Sequence, residues 1–290
     1  MCVKDAHYPQ FYSTSINDIF NRCDNFGVPL DDFRCCGGLF ADDIVLCSPS
    51  RRKLNNLLKR VNNWAKNNKM EFGINKCATM VIRPDTPENR NKGEPTFYIA
   101  GQPIPTTNCY TYLGIPFDKS LSLDPIVKSM NNKVRKALYS VSNFLRNPKI
   151  PIPFKKTIIN SIVISRISYF APLLGSNKNR SHQAQKLVNE GLGYITGSHK
   201  AKSFTALYNV SKDLNIPPLS AKCALAQARC YNKWKNSNCI ISYLVNKIPT
   251  HRKYMWTKAS RTLADKKLSK LENTKAIKNF YWKDLKKTFI

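Results

Sequence analysis

Apolar residues between positions 54 and 65 recur at spacings of three and four: Leu54, Leu57, Leu58, Val61, Trp64 and Ala65. That rhythm places them on one stripe and predicts an amphipathic helix, with Ser50 well placed as its N-cap. Upstream, residues 32–48 read as a β-hairpin. Phe33 and Leu39-Phe40 lie on one arm, Ile44-Val45-Leu46 on the other, and two carboxylates stand between them. Downstream, residues 70–74 alternate and residues 77–82 run apolar, which predicts two short strands bracketing Asn75-Lys76. Residues 84–95 are polar and rich in Pro, Gly and Asn, a surface loop. A further hairpin is expected around Gly101-Gln102, with residues 97–100 and 109–117 as strand candidates.

After Asp124 the rhythm becomes helical. Ile126, Met130, Val134, Ala137, Leu138 and Val141 share one face, and Lys128, Lys133, Arg135 and Lys136 fall mostly on another. Pro148, Pro151 and Pro153 end that helix and start a very apolar one over residues 154–174. Further helices are expected over residues 183–195, 203–214 and 219–234. The pattern therefore predicts an α+β chain, with an α/β part over residues 1–124 and an all-helical part over residues 125–290.

Charge divides at the same place. The 290 residues carry 47 Lys+Arg against 18 Asp+Glu, a net charge of +29. Residues 1–124 hold 15 basic and 13 acidic side chains, and residues 125–290 hold 32 and 5. An AT-rich coding sequence would explain the many Asn and Lys residues, but not the near-disappearance of acids after Asp124. A surface of this kind suits a polyanion, because each neutralised phosphate releases counterions without any reading of sequence. No run reaches the eighteen or so apolar residues of a membrane span, and the first twenty residues lack a signal peptide's apolar core. Ten cysteines without a regular framework read as thiols in a reducing compartment. The expectation is an intracellular protein, nuclear or cytoplasmic, that is not secreted.

Adjacent carboxylates at a hairpin tip repel one another, and a cation offsets that cost. Mg²⁺ takes oxygen ligands and commonly uses one or two protein carboxylates, with phosphates and waters completing its shell. Asp42 and Asp43 fit such a role when a third carboxylate joins them; alone, they are an Asp-rich turn. Phe40-Ala41-Asp42-Asp43-Ile44-Val45-Leu46 resembles the metal turn of the reverse-transcriptase palm, with Phe in place of the usual Tyr. Phe72-Gly73-Ile74-Asn75-Lys76-Cys77 resembles the next palm motif, whose lysine faces the triphosphate or departing pyrophosphate. Tyr112-Leu113-Gly114-Ile115 resembles the hairpin that grips the primer terminus, and Asp18 matches the tail of the template-contacting helix. The apolar helix ending Ile167-Ser168-Tyr169-Phe170 and residues 214–234 look like the thumb and C-terminal region of non-LTR, LINE-like retrotransposon polymerases.

The resemblance implies a partial palm with an antiparallel sheet, built from the metal turn and strands near residues 74, 81 and 112, followed by a basic helical thumb. It implies two-metal nucleotidyl transfer with Mg²⁺ or Mn²⁺, Asp42 and Asp43 at the metals, and Lys76 by the leaving group. Tyr112, Leu113 and Gly114 would hold the primer, and an RNA template and a DNA primer would be the partners. The family's first metal-binding aspartate lies on an upstream strand. None of Asp5, Asp18, Asp24, Asp31 and Asp32 stands in such a context, so the chain is expected to be an N-terminally truncated fragment, inactive alone. The rival reading is a non-enzymatic nucleic-acid binder that uses the basic helices.

Weaker signals are weighed with their plainer readings. Cys223, Cys230, Cys239 and His251 could be imagined around zinc, but without a paired C-x-x-C they read as buried helical thiols. His182 and His199 read as surface histidines. Tyr139, Tyr169, Tyr194, Tyr231 and Trp234 could stack on bases, yet at helical spacing they read as core. Arg51-Arg52-Lys53 reads as a solvated helix start.

Overall fold

A computed structural model describes residues 18–30, 33–197, 204–238, 240–246 and 256–268. The chain divides into two compact units, Met1–Pro125 and Ile126–Ile290. Helices and short antiparallel ladders coexist, which makes the class α+β. No helix among the described residues is long and apolar enough to cross a membrane.

The described residues of the first unit hold four hairpins and one long helix. The strands are β1 (Val28–Leu30), β2 (Phe33–Cys35), β3 (Gly37–Phe40), β4 (Asp43–Leu46), β5 (Phe97–Ile99), β6 (Gln102–Ile104), β7 (Cys109–Tyr112) and β8 (Ile115–Asp118). They pair consecutively as antiparallel ladders. Helix α1 (Arg51–Asn67) begins where the sequence predicts: the Ser50 hydroxyl accepts from the Lys53 amide at 3.3 Å. Its apolar stripe serves two clusters. Leu57 and Val61 pack with Ile19, Cys23, Cys36 and Ile44. Leu58 packs with Cys77, Phe97, Ile99 and Ile104. Thus α1 ties the β3–β4 hairpin to the β5–β6 hairpin.

Several expectations change. The arm predicted to run from Phe33 to Phe40 breaks at Cys36, and β2 pairs back onto β1. Two glycines permit the crowding there. A Cβ on Gly27 would lie 2.8 Å from the Cys35 carbonyl carbon, and one on Gly37 only 1.8 Å from the Val45 carbonyl oxygen. The strands expected near residues 74 and 81 do not form. Ile74–Lys76 is a 3-10 turn in which the Lys76 and Cys77 amides are satisfied locally by Gly73 and Ile74. Of the segment beyond it, Thr79 makes an isolated parallel bridge to Thr106. Among the described residues there is accordingly no single palm-like sheet, but separate two-stranded ladders. The loop over residues 84–95 contains a short helix, Pro87–Arg90, clipped by the Arg90 guanidinium on the Asp85 carboxylate at 2.7 and 3.0 Å.

The described residues of the second unit are helical. Asp124–Ser140 buries the predicted stripe of Ile126, Met130, Val134, Ala137 and Leu138. Lys128, Lys133, Arg135 and Lys136 are exposed on it. The apolar helix starts at Ile152, passes through a π-helical stretch at Ile159–Ile164, and ends at Ser168. The predicted run to residue 174 is interrupted at Tyr169 and Phe170, before Ala171–Leu174 with Pro172 in its first turn. Asn179–Ile195, Phe204–Asp213 and Leu219–Lys235 follow, then the shorter Ile240–Asn246 and Trp256–Arg261. Gly175 lets two helices meet backbone to backbone, since a Cβ there would stand 2.2 Å from the Cys223 carbonyl oxygen. Gln227, fully buried, accepts from the Ser176 amide at 2.8 Å and donates to the Ser260 hydroxyl at 2.7 Å. The Trp256 indole donates to the Pro172 carbonyl at 2.8 Å, closing the same corner.

Candidate nucleotidyl-transfer site

The β3–β4 hairpin presents the paired aspartates. Its ladder runs from Gly37 opposite Leu46 to Phe40 opposite Asp43, leaving Ala41 and Asp42 as a two-residue turn. Ala41 has φ 52°, the left-handed region that such hairpin turns demand of a central residue and that an L side chain resists. Ile44, 1% exposed, is pinned beneath α1. Because successive strand residues face opposite ways, burying Ile44 turns Asp43 to the other face. Asp42 is exposed and Asp43 half-buried, while Phe40 is 63% exposed beside them.

The β7–β8 hairpin comes to the same place. Its two-residue turn is Leu113-Gly114, with both φ values positive, 48° and 74°. Tyr112, at the end of β7, has its phenol pKa raised by burial and then by the negative charge of Asp43. The β7–β8 hairpin therefore lies within electrostatic reach of Asp43. Two residues earlier on the same strand face, Tyr110 donates its hydroxyl hydrogen to the Lys76 carbonyl oxygen at 2.9 Å. Lys76 is exposed at the end of its 3-10 turn, which the buried Cys77 anchors. The structure thus links the three predicted motifs, with Asp43 near Tyr112 and Tyr110 bonded to Lys76. Residues 9–117 match the family model of reverse transcriptase (RNA-dependent DNA polymerase). This reverse-transcriptase-like segment contains Asp18, Asp42, Asp43, Lys76 and Tyr112-Leu113-Gly114, and it covers less than half of the chain. No curated protein matches the sequence.

Two side-chain hydrogen bonds of the first unit escaped the sequence reading. Tyr110 carried a signal, since it stands two residues from Tyr112 and must share its face. The second had none: the Asp18 carboxylate accepts from the Trp64 indole at 2.8 Å, across 46 positions of sequence.

Two adjacent carboxylates are suitable hard-oxygen ligands for a divalent ion, and the exposure of Asp42 leaves room for phosphate and water to complete the shell. They fit as part of a metal site. Among the described residues no group of three His, Cys, Asp or Glu side chains is arranged to hold an ion. Asp5, Asp31 and Asp32 lie outside the described residues. The weaker signals resolve in part. Cys223 is buried, its thiol pushed up to about 12 by burial, and Cys230 is half-buried. Cys239, His199 and His251 lie outside the described residues, and His182 is exposed. Tyr194 and Tyr231 are core, with Trp234 partly buried. Tyr139 and Tyr169 are more than half exposed, contrary to the core reading. The Lys133 ammonium lies 4.9 Å from the ring centre of the buried Phe170 and 6.0 Å from that of the exposed Tyr169. Arg51 and Arg52 are exposed, as a solvated helix start requires.

Proposed function

We propose that this chain is the palm-and-thumb portion of an RNA-directed DNA polymerase of a non-LTR retrotransposon. The observation that carries the reading is convergence. The charge of Asp43 raises the Tyr112 phenol pKa, and Tyr110 of the same strand is bonded to the Lys76 carbonyl, which supports reading strand β7 as a link between Asp43 and the backbone of Lys76. In this reading Asp42 and Asp43 hold Mg²⁺ or Mn²⁺. Bound there, the metal would assist attack of a primer 3′-hydroxyl and offset charge on the phosphates. Lys76 meets the departing pyrophosphate, and Tyr112-Leu113-Gly114 support the primer end. Residues 1–124 serve as the palm, and the basic helices of residues 125–290, as the thumb, take the phosphates of an RNA–DNA hybrid.

Nucleotidyl transfer by this arrangement calls for a third carboxylate, and among the described residues none is grouped with Asp42 and Asp43, so we expect the chain to bind hybrid without extending it. The test is primer extension on an RNA template with Mg²⁺, alongside hybrid binding measured over a salt series. Binding that weakens steeply with salt, is tightened by Mg²⁺, and loses only the Mg²⁺ effect in Asp42→Ala supports the polymerase reading. Incorporation by the wild-type chain that Asp42→Ala abolishes would overturn the claim of inactivity. Superimposable titrations of the two proteins, with and without Mg²⁺, would favour the non-enzymatic binder suggested by the 32 basic and 5 acidic side chains of residues 125–290.

A further inference from the structure

The connection between the lysine turn and the β7–β8 hairpin is made by more than one bond. The Thr79 amide donates to the Pro105 carbonyl at 2.8 Å, and the Thr107 amide donates back to the Thr79 carbonyl at 2.9 Å. The Thr79 and Thr106 hydroxyls approach to 3.5 Å. Tyr110 then reaches across to the Lys76 carbonyl. These contacts stitch residues 76–79 to residues 105–110, the segment that leads into Tyr112. All but one of them are backbone bonds or short hydroxyls that fix the course of the chain at Thr79. Only the Tyr110 hydroxyl acts at Lys76 itself, on the residue whose ammonium is exposed.

We propose that Tyr110 is a positioning residue for Lys76: its phenol fixes the Lys76 carbonyl, and through it the backbone from which the ammonium extends. The inference rests on the reading of Lys76 as the pyrophosphate-side cation and adds a residue to it. Physically, a 3-10 turn is a short, weakly held element. A lysine on a flexible four-carbon stem contributes as a point charge whose usefulness depends on where its stem begins. Fixing the carbonyl of that residue removes backbone freedom that pyrophosphate binding would otherwise have to remove. Tyr110 is half-buried, and Tyr110→Phe removes one oxygen while keeping the ring against its neighbours.

The test measures the affinity of the full chain for inorganic pyrophosphate in Mg²⁺ by calorimetric titration, for wild type, Tyr110→Phe, Lys76→Ala and the double variant, with a melting curve for each. The expected result is a loss of about fivefold for Tyr110→Phe at an unchanged melting temperature, as suits one hydrogen bond. Lys76→Ala should lose more, and the double variant should match Lys76→Ala alone, because Tyr110 acts only through the lysine. Wild type and Lys76→Ala binding equally, or neither binding, would overturn the reading of Lys76 and the inference with it. A loss in Lys76→Ala with none in Tyr110→Phe would overturn the positioning role while the reading of Lys76 stands. So would additive losses in the double variant, or a drop in melting temperature for Tyr110→Phe without a selective loss of pyrophosphate affinity.

Discussion

The indole N–H of Trp64 donates to the Asp18 carboxylate at 2.8 Å, joining the C-terminal half of α1 to the first described turn of the chain. Asp18 is exposed, and the residue after it, Ile19, is buried against α1. The bond therefore holds a turn whose apolar contact is already made. Trp64→Phe should lower stability by about 1 kcal/mol, the usual net worth of one hydrogen bond, since solvent around this exposed pair offsets the gain from the acceptor's charge. Hydrogen exchange should show the loss at residues 18–23 more than in β5–β8; uniform loss across the first unit would contradict this local role.

Ala41 pays for its left-handed backbone. Ala41→Gly should raise the melting temperature, with a net gain of about 0.5–1 kcal/mol after glycine's extra chain entropy. At the other end of the same ladder, Gly37→Ala drives a methyl group into the Val45 carbonyl. A loss of roughly 3 kcal/mol is expected there. Thermal denaturation of both variants checks the pair, and equal shifts of the same sign would be inconsistent with the geometry.

Thiol chemistry should discriminate sharply among the cysteines. Burial, followed by the neighbouring Cys23, Asp24 and Cys35, pushes the Cys36 thiol up to about 11, and Cys36 also donates to the Cys23 carbonyl at 3.0 Å. Because only the thiolate reacts, Cys36 and Cys223 should resist alkylation at pH 8 in the folded chain, while exposed Cys109 labels readily. Peptide mass spectrometry reads the order, and early modification of Cys36 would contradict it.

Stability should also fall at high pH. The Cys223 thiol has its ordinary value at 9.0 and a folded value of about 12. A raised value means the folded state holds its proton longer, so the contribution is whole below pH 9 and is lost as pH climbs from there toward 12. Cys223→Ala should flatten the dependence of denaturant midpoint on pH in that window, though it lowers stability at neutral pH. An unchanged slope would count against the burial of this thiol.

Gln227→Ala removes the bridge between the Ser176 amide and the Ser260 hydroxyl, stranding the amide and leaving a cavity, while the Ser260 hydroxyl keeps its bond to the Trp256 carbonyl. The expected cost is about 2–3 kcal/mol. Gln227→Glu tests the donor half separately, because a carboxylate keeps the bond from Ser176 but cannot donate to Ser260. Chemical denaturation should rank wild type above both variants.

Much of this arrangement was readable in the sequence where a periodicity ran long enough to be unambiguous. Helix α1, with its Ser50 cap, and the stripe from Ile126 to Leu138 are such cases. The turn at Asp42 was legible because two carboxylates stood between apolar triplets. The strands expected over residues 70–74 and 77–82 do not form, because a short apolar run suits several backbones. Gly73-Ile74-Asn75-Lys76 closes on itself by local hydrogen bonds that no periodicity reports. The break at Cys36 depended on the closeness of Gly27 and Gly37 to other strands, a tertiary fact. The Tyr110–Lys76 and Trp64–Asp18 bonds span 34 and 46 positions, and side-chain pairs at such separations leave no mark on local pattern.

The π-helical stretch from Ile159 to Ile164 holds more residues per turn than the α-helical segments on either side of it. Ile159, Val163, Ile164 and Ile167 are all buried, so the wide turn lets neighbouring positions 163 and 164 both point inward. In effect the helix carries a spare residue. Deleting one position here would let the backbone relax to ordinary α geometry without reversing the face presented by Ile167 and Phe170. The same deletion in α1 would swing every downstream side chain by about 100°. Length variation in this helix is therefore most tolerable within its most apolar turn.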